Sequence, residues 1–415
     1  MRQVVWLLMM FAIAVLAAST LGANDGLVSI YWAPWRVDLS INVFVLLLLA
    51  AGFVGHVLTG AVSGLIDLPQ RARQWRTQQR EAAVQRAMRE AVAQLFAGRY
   101  GRAHKAAQQA LDIRIQAPDL KLDPDLPVLA HLLSASALHR LQDQGRRDEQ
   151  LARAQALLAD LPSGSAIGEG ARMLAAEWAV DDRDADRALD QLGQLPAGVA
   201  RRTHALRLKL QATRLARQPL EALKTARLLA KHQGFTPAAA QGLLRSLAVE
   251  ALDTARDADQ LRRIWLQLDG ADRRDPYVAA RAARRAAAVE APSDARGWLK
   301  PHWERLAELD ERDRGDVLDA FVEVLPGLPA DWLPLLETAV DASPRDAHLA
   351  YVAGRAMAER QLWGRAHRLL ESAACATDAA PALRLKAWRA LAEIAESEGD
   401  EGLAQRCYRE AARSL

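Results

Sequence analysis

Two long apolar runs open the chain, and after them the pattern changes for good. Val4 to Leu21 carries no charge, and neither does Ile41 to Leu58 apart from a titratable His56. About 18 such residues cross a ~30 Å hydrocarbon layer as a helix. These runs predict two transmembrane helices, at about 4–21 and 41–58, with a short connector over 22–40. From Gln70 onward apolar residues recur at intervals of three and four, the spacing of amphipathic helices, and no alternating strand pattern competes. Clusters of Pro, Gly and Asp interrupt this pattern at Ala117–Pro127, Leu161–Gly170, Leu195–Gly198, Gln233–Pro237, Gly270–Pro276, Ala291–Gly297, Leu325–Pro334 and Ser343–Asp346. One or two helices fit between successive breaks. The expected fold is all-α: two transmembrane helices followed by a tetratricopeptide-like α-solenoid.

The repeat type follows from small residues twelve apart. Tetratricopeptide hairpins place small residues at motif positions 8 and 20, a bulky one at 24 and Ala at 27. The small residues let the paired helices approach, and the bulky one fills the gap to the next pair. Gly354, Ala366, Leu370 and Ala373 match, as do Ala392, Ala404, Tyr408 and Ala411, with Trp388 and Leu391 at positions 4 and 7. Far upstream Ala91 and Ala103 repeat the interval, followed by Ala107 and Ala110. Gly98-Arg99-Tyr100-Gly101-Arg102-Ala103-His104-Lys105 and Gln361-Leu362-Trp363-Gly364-Arg365-Ala366-His367-Arg368 share aromatic-Gly-Arg-Ala-His-basic. Weaker units surround Ala176–Ala188 and Leu210–Ala222. The expected organisation is a membrane hairpin over 1–66, a basic helix and first repeat hairpin over 67–116, degenerate repeats over 117–344, and two repeats over 345–415.

Charge orients the membrane part. The connector holds one basic residue, Arg36, whereas Arg71, Arg73, Arg76, Arg80, Arg86 and Arg89 follow the second run. Basic residues stay on the cytoplasmic side, so the connector is expected in the periplasm, with both termini and the repeats in the cytoplasm of a bacterium with an inner membrane. Tyr31, Trp32 and Trp35 suit the headgroup layer, and the arginines suit anionic lipid. A cleaved leader ending near Ala17 or Ser19 is the rival for the first run; its apolar stretch is longer than a leader core needs. The overall charge of +3, from 54 basic and 51 acidic residues, is too balanced for a nucleic-acid binder.

Candidate chemistry is sparse. Asn42 and His56 sit near opposite ends of the second run, where water or headgroups satisfy them; an axial haem ligand at His56 is the sharper alternative. Ala51 and Gly55, and Gly60 and Gly64, are spaced for close packing of the two spans. His104 and His367 occupy equivalent repeat positions, and His131 and His139 share a helix face, but neither pair completes a metal-ligand set. Cys375 and Cys407 form no CxxC or zinc spacing and read as isolated thiols. Gly164–Gly170 is glycine-rich in the wrong order for a phosphate loop and reads as a flexible interhelical loop. The acidic stretches Asp181–Asp190 and Asp310–Asp319 read as solvated faces. No catalytic residue, metal or cofactor is assigned.

The chain resembles the proteobacterial HemY proteins, haem-biosynthesis-associated inner-membrane tetratricopeptide proteins. The likeness rests on Asn24-Asp25-Gly26, on Pro34-Trp35-Arg36-Val37-Asp38-Leu39-Ser40, on Leu68-Pro69, on Gly98-Arg99-Tyr100, on Gln361–Ala366 and on Glu398-Gly399-Asp400. It implies a non-enzymatic scaffold that organises late haem-pathway proteins at the inner membrane. It does not imply the flavin-dependent protoporphyrinogen oxidase of the same name, whose dinucleotide fingerprint is missing here. Two alternatives accompany it: direct binding of haem or porphyrin through His and Arg, and a general envelope-assembly adaptor unrelated to haem.

Overall fold

The structure is a computed structural model that describes residues 9, 13 and 26–414, apart from 119, 121–122, 160–164 and 233; it describes no side chains over 60–71. The first expected span, at about 4–21, lies outside the described residues except for Met9 and Ile13.

The connector is not a loop. Leu27–Trp32 (β1) and Trp35–Ser40 (β2) pair as an antiparallel hairpin, with Leu27 opposite Ser40 and Trp32 opposite Trp35. This corrects the all-α expectation. Val28, Ile30, Tyr31, Trp32, Trp35 and Val37 are β-branched or aromatic, which suits a pleated strand. Helix α1 follows at once over Ile41–Phe96. Its stretch Ile41–Thr59 is long and apolar enough to cross a membrane, and none of it is buried in the protein. The same helix continues through the basic stretch, where Arg73, Arg76, Arg80, Arg86 and Arg89 are exposed; its first buried residue, Val84, lies within that stretch.

The chain divides into two compact units, one ending at Leu158 and one starting at Ala159. In the first, the end of α1 pairs with α2 (Tyr100–Gln116), and α3 (Asp125–Arg140) pairs with α4 (Gln144–Leu158). The second runs through α5 (Ala166–Asp181), α6 (Ala185–Gly193), the single turn α7 (Ala197–Ala200), α8 (Thr203–Leu215), α9 (Pro219–Lys231) and α10 (Pro237–Asp253). It continues with α11 (Ala258–Gln267), the single turn α12 (Gly270–Arg273), α13 (Pro276–Ala288), α14 (Pro292–Trp303) and α15 (Glu311–Glu323). It closes with α16 (Leu333–Ala342), α17 (Ala347–Glu359), α18 (Trp363–Cys375), α19 (Pro381–Glu398) and α20 (Glu401–Arg413).

Helix starts are set by chemistry that the sequence displays. Pro219, Pro237, Pro276, Pro292 and Pro381 stand in the first turn of their helices, where a missing N–H costs nothing. Ser165, Asp184, Thr236, Asp257, Asp275, Asp310, Asp346 and Asp400 accept hydrogen bonds from first-turn amides as N-caps. Two expectations change for this reason. Ser165 starts α5 at Ala166, so Ala166–Gly170 is helix rather than flexible loop. Pro292 starts α14, so Gly297 lies inside a helix rather than in a break.

Helix ends share one device. Gly98, Gln142, Arg183, Arg217, Glu290, Gln361 and Gly399 all have positive φ. In each case the next amide bonds back five residues, as Asp143 N does to Leu138 O and Leu362 N to Met357 O, both within 3.0 Å. That is the Schellman closure, which satisfies carbonyls left open at a helix end. It closes the turn inside the hairpins α1–α2, α3–α4, α5–α6, α8–α9, α13–α14, α17–α18 and α19–α20.

The repeat period appears directly in bonds between hairpins. Arg262 to Asp294, Trp303 Nε1 to Leu335 O, Gly327 N to Glu359, His367 to Glu398 and Arg355 to Glu393 link groups 31 to 38 residues apart. About 34 residues is the tetratricopeptide period. The small positions behave as the motif requires. Ala91, Ala103, Ala366, Ala392 and Ala404 are buried, and so are Ala176, Ala188 and Ala222 of the weaker units. A Cβ on Gly354 would come within 2.7 Å of Leu370 Cγ, which places positions 8 and 24 in direct contact. Tyr408, at position 24 of the last hairpin, is 42% exposed, and no further hairpin covers it among the described residues.

Candidate functional site

Three places concentrate polar or aromatic chemistry. The first is the membrane-proximal hairpin. Tyr31, Trp32 and Trp35 are largely exposed, and the Arg36 guanidinium lies 5.3 Å from the Tyr31 ring centre. Arg36 Nε donates to Asp38 Oδ1 at 3.0 Å, and Ser29 Oγ donates to the same oxygen. These two bonds hold the Asp38 carboxyl below the usual carboxylate range. Ile41 N donates to Gly26 O at 3.0 Å and ties the base of the hairpin to the start of α1. Asn42 is the second residue of α1. His56 is exposed near the end of the apolar stretch, where its carbonyl accepts from Thr59 Oγ1 at 2.9 Å. Ala51 and Gly55 are exposed on the same helix. The side chains at 60 and 64 lie outside the described residues.

The second is a polar seam inside the first unit. His131 Nδ1 and Gln150 Oε1 are 2.8 Å apart, and Gln108 Nε2 donates to the same oxygen at 3.2 Å. A carbonyl oxygen cannot donate, so His131 Nδ1 carries the proton. Gln108 Nε2 also donates to Ser134 Oγ, and His104 Nδ1 lies 2.8 Å from that hydroxyl. Burial holds both imidazoles below the ordinary histidine pKa. The structure thus joins His104 to His131 across α2, α3 and α4. His367 instead meets Glu398 at 3.1 Å, and His139 meets Arg147. Arg147 is buried and its Nε donates to Asp148 at 2.8 Å.

The third lies in the second unit. Arg245 on α10 donates from Nε to Asp275 at 2.8 Å, and from both Nη atoms to Asp313 at 3.0 and 2.7 Å. Asp275 caps α13 and Asp313 sits in the first turn of α15, so one guanidinium joins three successive hairpins. Burial opposes its charge, but the bonds to Asp313 and Asp275 outweigh burial and raise its pKa above the ordinary arginine value. The reading of Asp310–Asp319 as a solvated face is corrected here: Asp310 is an N-cap, Asp313 is buried, and Asp319 faces His348 at 3.3 Å. Nothing local announced this, because Arg245 is 68 residues from Asp313.

Beside this joint, α11, α12 and α14 border a cleft of about 470 Å³. Trp265, Trp298, Arg273, Arg274, Arg305 and His302 line it. The two indoles stack at 4.7 Å, and His302 Nε2 lies 3.3 Å from Arg273 O. Stacked rings beside guanidinium groups suit a flat or acidic group. Among the described residues no set of three His, Cys, Asp or Glu side chains could hold a metal ion. Cys375 is exposed and Cys407 buried, and burial pushes the Cys407 thiol up.

Residues 26–142 match the family model described as HemY protein N-terminus. Over that segment, about a quarter of its length, the chain is similar to HemY proteins. The HemY match starts at the base of the β-hairpin and ends at Gln142, the left-handed residue that closes α3. It therefore takes in the apolar helix, the basic stretch and most of the polar seam. No curated protein matches the chain. Among solved structures it is similar to a chain in the APC/C hetero-tetramer Cut9–Hcn1, with 16% identity, a TM-score of 0.28, and coverage of 80% of this chain and 66% of that one. It is also similar to a chain of Naa15/Naa10 bound to HypK-THB (15%, 0.26, 75% and 56%) and to the P58(IPK) TPR domain (12%, 0.21, 80% and 99%). The chain thus spans less than two thirds of the first two. The helical-repeat architecture stands on the bonds and burial described above.

Proposed function

We propose that this chain is an inner-membrane helical-repeat adaptor for haem biosynthesis, which holds late-pathway proteins at the membrane through its repeats. The observation that carries the reading is the HemY N-terminal match over the hairpin, the apolar helix and the first repeats. Physical chemistry supports the division of labour. An unburied apolar helix has no use in water, and lipid is the solvent that favours it. The exposed arginines that follow on the same helix favour the cytoplasmic side, which supports a periplasmic β1–β2. Stacked helical hairpins present long surfaces suited to protein partners. Haem intermediates are reactive and poorly soluble, so docking the enzymes that exchange them shortens transfer. Deleting the gene should alter porphyrin and haem levels while leaving each purified pathway enzyme fully active; an unchanged porphyrin profile contradicts the haem link.

The cleft around Trp265 and Trp298 favours a second reading, direct binding of a carboxylated tetrapyrrole. The arginines would pair its carboxylates, and Trp298, the more exposed of the two indoles, would stack on its ring. His302 already faces a backbone carbonyl, so the contact would come from arginine and indole rather than from iron ligation. Titration of the purified protein with haem at micromolar concentration decides this: a Soret shift lost in Arg273→Ala/Arg274→Ala supports it, and no shift removes it.

A further inference from the structure

In an antiparallel pair, directly opposed residues share one face of the hairpin. Three pairs of β1–β2, Val28 with Leu39, Ile30 with Val37 and Trp32 with Trp35, therefore make one face wholly apolar. The pairs between them make the other face: Ser29 with Asp38, Tyr31 with Arg36 and Leu27 with Ser40. Leu27 apart, that second face is polar. It is also satisfied from within, because Arg36 and Ser29 both bond Asp38, and Arg36 Nη2 reaches Ser29 Oγ at 3.4 Å.

Among the described residues the outer part of the apolar face is uncovered, while Val28 and Leu39 at its base are half-buried. Trp32 is 80% and Trp35 74% exposed, and Ile30 and Val37 are exposed as well. A two-stranded hairpin is marginal in water without a surface against its apolar face. Among the described residues the hairpin meets only the start of α1, at its base, and it runs into that apolar helix without a linker, since Ser40 ends β2 and Ile41 begins α1. Standing upright on the membrane, the hairpin would hold its tryptophans roughly 20 Å from the span, at about 3.3 Å per residue. Its whole apolar face would then stand in water. Lying flat, it places both tryptophans in the headgroup layer that indole rings prefer, with the Arg36–Asp38 face toward water.

We propose that β1–β2 is an amphipathic membrane-surface element, whose Val28/Ile30/Trp32/Trp35/Val37/Leu39 face rests in the lipid interface beside the mouth of the span. The proposal rests on reading Ile41–Thr59 as membrane-spanning. It gives the segment where the HemY N-terminal match begins a physical role: the hairpin fixes the depth and rotation of the helix that leads to the repeats.

The test uses the full chain, with Cys375→Ser and Cys407→Ala, in vesicles of phosphatidylethanolamine and phosphatidylglycerol. Single spin labels go at Ile30→Cys and Val37→Cys on the apolar face, Ser29→Cys on the polar face and Leu48→Cys in the helix. Labels at 30 and 37 should collide several-fold more with oxygen than with a water-soluble nickel chelate, and the label at 29 should show the reverse. A label at 48 inaccessible to oxygen in the bilayer would instead overturn the span on which the proposal depends. With the 48 label in lipid, equal nickel accessibility on both faces overturns the surface placement. Labels at 30 and 37 shielded from both reagents also overturn it, and indicate a protein on that face. As a check without cysteine variants, vesicles with brominated acyl chains should quench the fluorescence less in Trp32→Phe/Trp35→Phe than in the unaltered protein. Equal quenching contradicts the proposal.

Discussion

At Gly354 a single missing methyl group decides how two helices meet. A Cβ there would press on Leu370 Cγ at 2.7 Å and on the Leu370 backbone nitrogen at 3.2 Å. Gly354→Ala should therefore destabilise the fold by about 1–3 kcal/mol, the usual cost of overpacking. Chemical denaturation of the purified protein reads this out, and a midpoint equal to wild type would contradict the packing. His104 and His131 make a different prediction. Burial holds both imidazoles neutral in the folded unit. Below the ordinary histidine pKa of about 6.5, the unfolded chain takes up protons that the folded chain refuses. Stability should fall as pH drops from 7 toward the depressed folded values, and level off below them. A His104→Gln/His131→Gln variant should lose part of that dependence in thermal melts at pH 7.5 and 5.5. His302, also depressed by burial, keeps the remainder. An unchanged pH response in the variant contradicts the assignment. Gly354 was legible in the sequence because its twelve-residue interval to Ala366 is local. The His104–His131 seam was not, because Ser134, Gln108 and Gln150 connect the two rings from three helices and no local spacing encodes that meeting.

Elements reveal where sequence reading succeeds and stops. Helix starts were readable because Pro and Asp mark them. Several helix ends were hidden because Gln142, Arg183, Arg217, Glu290 and Gln361 take the left-handed conformation that glycine takes at Gly98 and Gly399. A non-glycine residue there carries a steric cost of ~1 kcal/mol or more. Gln361→Gly and Arg217→Gly should each raise stability by roughly 0.5–1 kcal/mol. Equilibrium unfolding checks this, and a loss of stability would contradict the turn geometry. The middle repeats drift for a related reason. Ala135 and Ala320 occupy small positions, but the partner slot twelve residues on holds buried Arg147 in one hairpin and Trp332 in the other. Trp332 lies 4.8 Å from Phe321 and 6.0 Å from Trp303, an aromatic cluster in place of a close approach. Stacking survives while the motif fades. The hairpin β1–β2 escaped notice because its neighbours are apolar runs: six residues of strand beside an apolar helix look like a wet connector with aromatic rings.

The molecule combines an apolar helix that none of the described residues buries with two compact helical-repeat units. The HemY N-terminal match covers the apolar helix and much of the first unit. The second unit is held by long-range bonds one repeat apart and by Arg245 across three hairpins, and it carries the Trp265–Trp298 cleft. Fold class and repeat type were legible at both ends of the chain, where small residues keep their interval. The clefts were not, since they depend on which hairpins become neighbours. The most direct test of the adaptor role is photo-crosslinking in native membranes, with a benzoylphenylalanine placed at Arg274 on the rim of the cleft and another at the exposed Leu362. The account predicts crosslinks to proteins of late haem synthesis, recovered by mass spectrometry and absent without irradiation. Crosslinks to lipid alone, or only to envelope-assembly proteins, would contradict it.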